Sequence, residues 1–185
     1  MKGHADLPTW DAVKHAWRVV IETPQGSTAK YSYDRALGVY TMSHILPEGT
    51  VFPYAFGFLP ATRGEDGDPL DVLLLNDGTT YCGCVVLVRI IGVIEGKQVE
   101  KGQAKPVRND RFLAVPLTSR RYAPIKSARR LPKEQIKDFR AFFEDYNHTL
   151  GRSFTVTKWT GPGPAEKLIE RGRRKYHRHG GHRKD

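Results

Sequence analysis

The pattern of hydrophobic and polar positions predicts many short strands followed by one or two helices. Apolar or alternating segments bounded by Pro, Gly, Asn or Asp are typical of strands. Such segments lie at residues 17–23, 30–34, 39–42, 71–75, 84–94, 112–115 and 154–160. The aromatic segment 52–60 contains Gly and Pro and indicates an irregular extended chain, whereas the polar segment 96–109 indicates a hairpin or loop.

Helical periodicity is found only near the end of the chain. Apolar side chains recur at spacings of three and four residues at Ile136, Phe139, Phe143, Tyr146 and Leu150. These positions form one face of an amphipathic helix. After the Gly-Pro-Gly-Pro sequence at 161–164, the segment 165–175 is predicted to form a final helix. This order indicates a mainly β, α+β fold, in which C-terminal helices flank a closed or nearly closed antiparallel β-barrel.

Length and composition restrict the class of protein. The chain has 185 residues, of which 39% are hydrophobic and two are cysteines. One domain with extensions accommodates this length, and two cysteines exclude a disulfide framework. The longest apolar segment, 84–94, is interrupted by Arg89 and is too short to span a bilayer, and residues 1–10 lack the apolar region of a signal peptide. We therefore expect a cytoplasmic protein that is not bound to a membrane.

The positive charge of the chain is concentrated at its end. The formal net charge is +10, and residues 171–185 contribute seven Lys or Arg against one Asp. We expect a solvated, partly disordered basic tail, which could also bind nucleic acid without sequence specificity through counterion release. The predicted organisation is an N-terminal extension at 1–16, one domain at 17–170 and a basic tail at 171–185.

A cluster of carboxylates is the strongest chemical signal in the sequence. Asp66, Asp68 and Asp71 fall within six residues, and Gly67 and Pro69 tighten the chain between them. Grouped carboxylates repel one another unless a cation holds them, and hard oxygen ligands suit Mg²⁺ or Mn²⁺. A solvated acidic turn is the alternative, but a calcium EF-hand loop is excluded because Asp71 stands where that loop requires Gly.

Two further residues change the meaning of this cluster. Glu22 lies near the end of an apolar strand, and Lys30 begins an alternating strand. Carboxylates that bind metal beside cations that bind phosphate are typical of a phosphoryl-transfer site.

Several motifs together resemble the soluble family I inorganic pyrophosphatases. They are V-I-E-T-P at 20–24, K-Y at 30–31, L-P-E-G at 46–49, D-G-D-P-L-D-V-L at 66–73, L-A-V-P at 113–116 and F-F-E-D-Y at 142–146. The resemblance implies an OB-like five-stranded barrel with flanking helices, and Mg²⁺-dependent hydrolysis of pyrophosphate to two phosphates by a metal-activated water. It also implies a homo-oligomer, since bacterial members are commonly hexamers.

The resemblance implies a role for each matching residue of the site. The metal ligands are Asp66, Asp68, Asp71 and, through water, Glu22. Asp68 is also the catalytic carboxylate that orients or deprotonates the attacking water. Pyrophosphate and phosphate oxygens are bound by Lys30, Tyr146, Arg111 and His44.

The chain departs from the family pattern at several functional positions. These are Ser32, His44, Phe56, Val99, Asn109, Arg111 and Asn147. Val99 and Asn109 stand where the family has metal-binding aspartates, and Glu100 or Asp110 could take their place. The alternatives are an active diphosphatase with reduced activity, a hydrolase of another phosphoanhydride, or a retired pyrophosphatase fold. The retired fold would bind a phosphate compound, or nucleic acid through its basic surface and tail.

Overall fold

Ten strands and two α-helices make up the part of the chain that the computed structural model describes, residues 3–100, 102 and 105–179. The strands are β1 (Trp10–Asp11), β2 (Ala16–Thr23), β3 (Ala29–Asp34), β4 (Val39–Ile45), β5 (Ala55–Leu59), β6 (Leu70–Leu74), β7 (Val85–Val99), β8 (Val107–Arg108), β9 (Arg111–Pro116) and β10 (Ser153–Thr160). The helices are α1 (Lys133–Thr149) and α2 (Pro162–Arg178), with short 3₁₀ turns at His4–Asp6 and Ala128–Arg130.

Five of the strands close into a barrel, which confirms the predicted OB-like fold. They are hydrogen-bonded in the order β2, β5, β6, β9 and β7, and β7 pairs back with β2. The pairing of β6 with β9 is parallel, so the barrel is not antiparallel throughout as predicted. The reason is topological. Along the chain, the long strand β7 comes between β6 and β9 and runs antiparallel to β9, so β9 runs in the same direction as β6.

The segment 52–60 contains a regular strand where the sequence indicates irregular chain. All five residues of β5 are buried. Gly57 allows this strand to approach β2, because a Cβ atom there would lie 2.1 Å from the backbone oxygen of Val20. The aromatic residues and glycine of this segment, which suggest irregular chain, therefore belong to a buried strand that packs closely against its neighbours.

Strand β7 is longer than the predicted strand at 84–94. It continues to Val99, and its last residues pair with β8, where Lys97 lies opposite Arg108. The segment 96–109 is thus the hairpin that the sequence predicts. The same end of this strand, residues 93–99, also pairs with β10, so β7 joins the barrel to the C-terminal part of the chain.

The two helices cover different parts of the barrel. Helix α1 buries Phe139 and Phe143, which pack in the cluster that contains Phe52 and Leu113. Helix α2 begins with Pro at its first position, where the missing backbone N–H costs nothing, and Ile169 enters the main barrel core.

Helix α2 extends well into the segment predicted to be a basic tail. Residues 171–178 are helical, and Gly172 and Tyr176 are buried. The Tyr176 hydroxyl donates a hydrogen bond to Asp6 Oδ1 at 2.5 Å, so this helix also contacts the N-terminal segment. A partly disordered tail is therefore the wrong description for residues 171–178, whereas residues 180–185 lie outside the described residues.

No helix within the described ranges is long and apolar enough to cross a membrane.

Replacing Gly57 with Ala should destabilise the fold strongly. The added methyl group would collide with backbone rather than with a movable side chain, so we expect a loss of about 3 kcal/mol or more in the free energy of unfolding. Urea-induced unfolding measures this loss. Gly78→Ala is the matched control, because a Cβ atom at Gly78 meets nothing within 4 Å. Equal stability of the two variants would contradict the proposed close approach.

Candidate active site

The carboxylate cluster lies on a loop, residues 61–69, that joins β5 to β6, and we call this segment the acidic loop. Its fold is fixed locally: the Asp68 backbone N–H donates to Asp66 Oδ1 at 3.1 Å, and the Gly64 N–H donates to the Asp68 carbonyl at 2.7 Å. Gly67 has a φ of +99°, which a side chain would strain. Asp71 follows on β6, so this short turn places all three aspartates at one end of the barrel.

Seven of the eight site residues predicted from the sequence line a single cleft of about 460 Å³. They are Glu22, Lys30, Asp66, Asp68, Asp71, Arg111 and Tyr146. His44 does not line the cleft, although its ring packs edge-on against Tyr146 with 6.4 Å between centroids. Its Nε2 atom is buried and has no hydrogen-bond partner among the described residues.

Glu22 and Lys30 form one wall of the cleft. Glu22 Oε1 accepts a hydrogen bond from the Tyr33 backbone N–H at 2.7 Å, and the Lys30 ammonium lies 3.8 Å from Oε2. Burial raises the pKa of Glu22, and the charge of Lys30 partly opposes this rise. The Lys30 ammonium also lies 5.5 Å from the centre of the Phe56 ring. Phe56, one of the departures from the family pattern, thus supports Lys30 through a cation–π contact.

The aspartates of the cleft are electrostatically strained. Burial and then the charge of Asp71 raise the pKa of Asp66 to about 6. The same two causes raise the pKa of Asp68. Neighbouring carboxylates disfavour ionisation of one another, because their negative charges repel. A cation that binds between them stabilises their ionised forms.

Arg111 is the cation that the fold itself supplies. Asp71 and Arg111 are register partners in the parallel pair β6–β9, and Arg111 Nη1 lies 2.6 Å from Asp71 Oδ2. The guanidinium also donates to Asn109 Oδ1 and lies 5.7 and 5.5 Å from the ring centres of Phe143 and Phe154. It therefore lies near two aromatic rings and is held by acceptors along its edge, which suits a planar guanidinium better than an ammonium.

The two carboxylates that could replace missing metal ligands are both engaged elsewhere. Asp110 accepts from the Gly96 N–H at 3.2 Å and from Arg108 Nε at 2.8 Å. Glu100 accepts from Gln98 Nε2 at 2.6 Å and forms an ion pair with Arg152 Nε at 2.6 Å. Glu100 lines the 460 Å³ cleft, whereas Asp110 lines a different cleft on the other side of the acidic loop.

The chemistry of the cleft fits a hard divalent cation. Its donors are carboxylate oxygens of Glu22, Asp66, Asp68 and Asp71, and burial raises the pKa of the first three. Within the part of the chain that the structure describes, no three His, Cys, Asp or Glu side chains converge as a ready metal cage. One oxygen of Asp71 is bound to Arg111.

The polar residues of the cleft that sequence reasoning missed include Arg35, Gln98 and Arg152. Asn147, where the family has Lys, is buried and donates to the Phe143 carbonyl at 2.8 Å, so it provides no charge. Arg152 follows five residues later, after Gly151, whose φ of +68° turns the chain back at the end of α1. The Gly residue just after the helix was the available signal for this reversal.

The basic part of α2 contacts the acidic loop from behind. Arg171 Nη2 lies 2.6 Å from Glu65 Oε1, and Lys175 Nζ donates to the Gly64 carbonyl at 2.6 Å. A Cβ atom at Gly172 would lie 2.7 Å from Leu70 Cδ1, so this side of the helix is in close contact with the end of the loop. Some of the positive charge of α2 therefore supports the loop that carries Asp66.

The raised pKa of Asp66 predicts a specific dependence of stability on pH in the metal-free protein. Because the folded-state pKa of about 6 exceeds the ordinary value of 3.8, the folded state should lose stability as pH rises from about 4 to 6. Asp66→Asn removes this cost. It should stabilise the protein by about 1 kcal/mol at pH 7 and change little at pH 4. The gain is less than the full linkage value because solvent still reaches part of Asp66 and screens its charge.

Urea-induced unfolding in EDTA at the two pH values measures this difference. Asp138→Asn, an exposed position on α1, is the control for the loss of one negative charge. A stabilisation that is equal at pH 4 and pH 7 would contradict the assigned electrostatic cause.

Comparison with known proteins identifies the fold. Residues 19–177 match the model of the inorganic pyrophosphatase family. An inorganic pyrophosphatase of Geobacillus stearothermophilus is 33% identical over 150 residues, which cover 81% of this chain and 87% of the relative. Soluble inorganic pyrophosphatase 5 of Arabidopsis thaliana is 32% identical over 89% of this chain and 74% of the relative. The crystal structure of the Thermus thermophilus inorganic pyrophosphatase superposes with a TM-score of 0.84 at 29% identity, covering 95% of this chain and 99% of that one. This chain therefore belongs to the inorganic pyrophosphatase family.

Proposed function

We propose that this chain hydrolyses inorganic pyrophosphate to two phosphates with the help of a divalent metal ion. The observation that carries the proposal is one cleft lined by the carboxylates Glu22, Asp66, Asp68 and Asp71 together with the cations Lys30 and Arg111. Membership of the inorganic pyrophosphatase family supports the same reaction. The anionic substrate needs cations, and the metal needs carboxylates.

Magnesium is the metal that the donor set favours. All four donors are carboxylates, and Mg²⁺ prefers hard oxygen ligands, whereas zinc sites usually include His or Cys. Asp66, Asp68 and Asp71 would hold the metal directly, and Glu22 through water. When bound, the metal would offset negative charge on phosphate oxygens and lower the pKa of coordinated water.

The residues of the chain divide the remaining tasks. Asp68 is exposed at the mouth of the cleft and has a raised pKa, so it is suited to orient the attacking water and accept its proton. Burial raises the pKa of Tyr146, so its hydroxyl keeps its proton and can donate a hydrogen bond to a phosphate oxygen. Lys30 and Arg111 contribute positive charge. His44 is also proposed as a substrate-binding residue, because its ring packs against Tyr146.

The reaction itself makes and breaks few covalent bonds. The water oxygen forms a bond to one phosphorus, the bridging P–O bond breaks, and the leaving group departs as phosphate. The protein contributes by holding the two phosphates in line and by compensating their charge.

The first test is phosphate release from pyrophosphate in millimolar Mg²⁺. We expect release by the unsubstituted chain, at least about 100-fold slower release by Asp68→Asn, and no release in EDTA. Asp138→Asn, which removes a carboxylate of α1 outside the cleft, should keep full activity.

Two results would count against this proposal. No release by the unsubstituted chain would favour the retired fold, in which the ion pair between Arg111 and Asp71 stays closed and Asp71 does not bind metal. Faster release from tripolyphosphate or a nucleoside triphosphate than from pyrophosphate would favour a hydrolase of another phosphoanhydride.

We also propose that the chain assembles into a homo-oligomer, with a hexamer of about 125 kDa as the expected form given its chain mass of 20.9 kDa. Supporting this, the β3–β4 hairpin exposes four apolar side chains, Leu37, Val39, Met42 and Ile45. Light scattering after size exclusion measures the mass. Replacing Met42 and Ile45 together with Asp should lower it, whereas Val13→Asp, at an exposed position outside the hairpin, should not. A monomeric mass for the unsubstituted chain would contradict assembly.

A further inference from the structure

We propose that Arg152 is a substrate-binding residue of this chain and that Glu100 positions it. The inference rests on the proposed hydrolysis of pyrophosphate and assigns the residue that binds the outer phosphate at the mouth of the cleft. Three observations carry it: the turn that presents Arg152, the anchoring of its guanidinium, and the hydrogen-bonded path that joins it to the acidic residues.

The chain after α1 is folded so that Arg152 faces the end of β7. The Leu150 and Arg152 backbone N–H groups both donate to the Asn147 carbonyl, at 3.0 and 2.9 Å. Gly151 takes the left-handed conformation between them, and its N–H donates to the His148 carbonyl at 2.9 Å. This closed turn fixes the backbone of Arg152 beside the cleft, so only the side chain has to be positioned.

Glu100 anchors one edge of the guanidinium and leaves the rest available. Its Oε2 lies 2.6 Å from Arg152 Nε, and its Oε1 accepts from Gln98 Nε2 at 2.6 Å. Neither terminal nitrogen of Arg152 donates a hydrogen bond to another residue in the described ranges. A guanidinium held at Nε with two free terminal nitrogens presents the fork geometry that binds a phosphate bidentately.

Arg152 lies on the same cleft as the proposed catalytic residues. Its side chain is 39% exposed, so an anion from solvent can reach it. Its charge and that of Arg111 oppose the effect of burial on the pKa of Tyr146, which lines the same cleft. Lys30 and Arg35 also line this cleft, so four cations surround it, which suits an anion of three or four negative charges.

A continuous polar path joins Arg152 to the acidic end of the cleft. From Glu100 it passes through Gln98, whose Oε1 accepts from Asn109 Nδ2 at 3.2 Å. Asn109 then accepts from Arg111, which binds Asp71. The side chains along this path are neutral amides and paired charges, and none is a free carboxylate. The path is therefore suited to hold side chains in position and not to bind a metal ion.

Affinity for a non-hydrolysable substrate analogue tests the role of Arg152 without relying on turnover. The probe is methylenediphosphonate with Mg²⁺, measured by calorimetry on the full chain, beside KM and kcat for pyrophosphate. We expect Arg152→Gln to raise the dissociation constant and KM about tenfold, the effect of losing a charged hydrogen bond, with kcat changed less than about threefold. Arg152→Lys should recover part of the affinity.

Arg140→Gln is the matched control, because Arg140 is exposed on α1 and does not line the cleft. It should leave the dissociation constant, KM and kcat unchanged. If Arg152→Gln behaves like Arg140→Gln in both binding and KM, the substrate-binding role is wrong. The same holds if the unsubstituted chain binds no diphosphonate.

The positioning role of Glu100 requires a double substitution. Glu100→Gln should weaken binding about threefold, because the guanidinium is then less well fixed. Combined with Arg152→Gln it should add nothing further, since Glu100 acts through Arg152. Independent, multiplicative effects would overturn the positioning role.

The two proposals fail in different ways. A chain that binds diphosphonate through Arg152 but releases no phosphate contradicts hydrolysis and retains the binding role. A chain that hydrolyses pyrophosphate with an unchanged KM in Arg152→Gln contradicts only the role of Arg152.

Discussion

Mutual repulsion among carboxylates is the constraint on which the rest of the cleft depends. Asp66, Asp68 and Asp71 lie at one end of the barrel, and burial together with the charge of Asp71 raises the pKa of the other two. The chain compensates with fixed cations, of which Arg111 binds Asp71 and Lys30 lies close to Glu22. A cleft that is lined by both carboxylates and cations is suited to a metal ion and a phosphate anion at once.

The barrel supplies the rigidity that this arrangement needs. Parallel pairing of β6 with β9 places Asp71 opposite Arg111, so their ion pair is set by backbone hydrogen bonds and not by flexible loops. Helix α1 contributes Phe143 against the guanidinium, and helix α2 binds the acidic loop from behind through Arg171. Side chains held by such neighbours lose little additional entropy when a substrate binds.

The departures from the family pattern form a connected set in this chain. Asn109 accepts from Arg111, Phe56 lies under Lys30, and Asn147 turns inward to the helix backbone. Positive charge that Asn147 does not provide is found instead at Arg152, held by Glu100. Asn109 and Arg111, which look like independent changes along the sequence, are therefore linked in space by a hydrogen bond, and their effects on activity need not be additive.

The sequence by itself determined most of the strands, the amphipathic helix and the acidic loop, because these depend on periodicity and on local turn chemistry. The motifs around Asp66 and Lys30 also sufficed to indicate the family. Tertiary structure alone decided that β6 and β9 run parallel, that Glu100 is bound by Arg152 and that the helical residues 171–178 pack with Gly172 and Tyr176 buried. Each of these depends on contacts between residues distant along the chain, and such contacts leave no periodic trace in a single sequence.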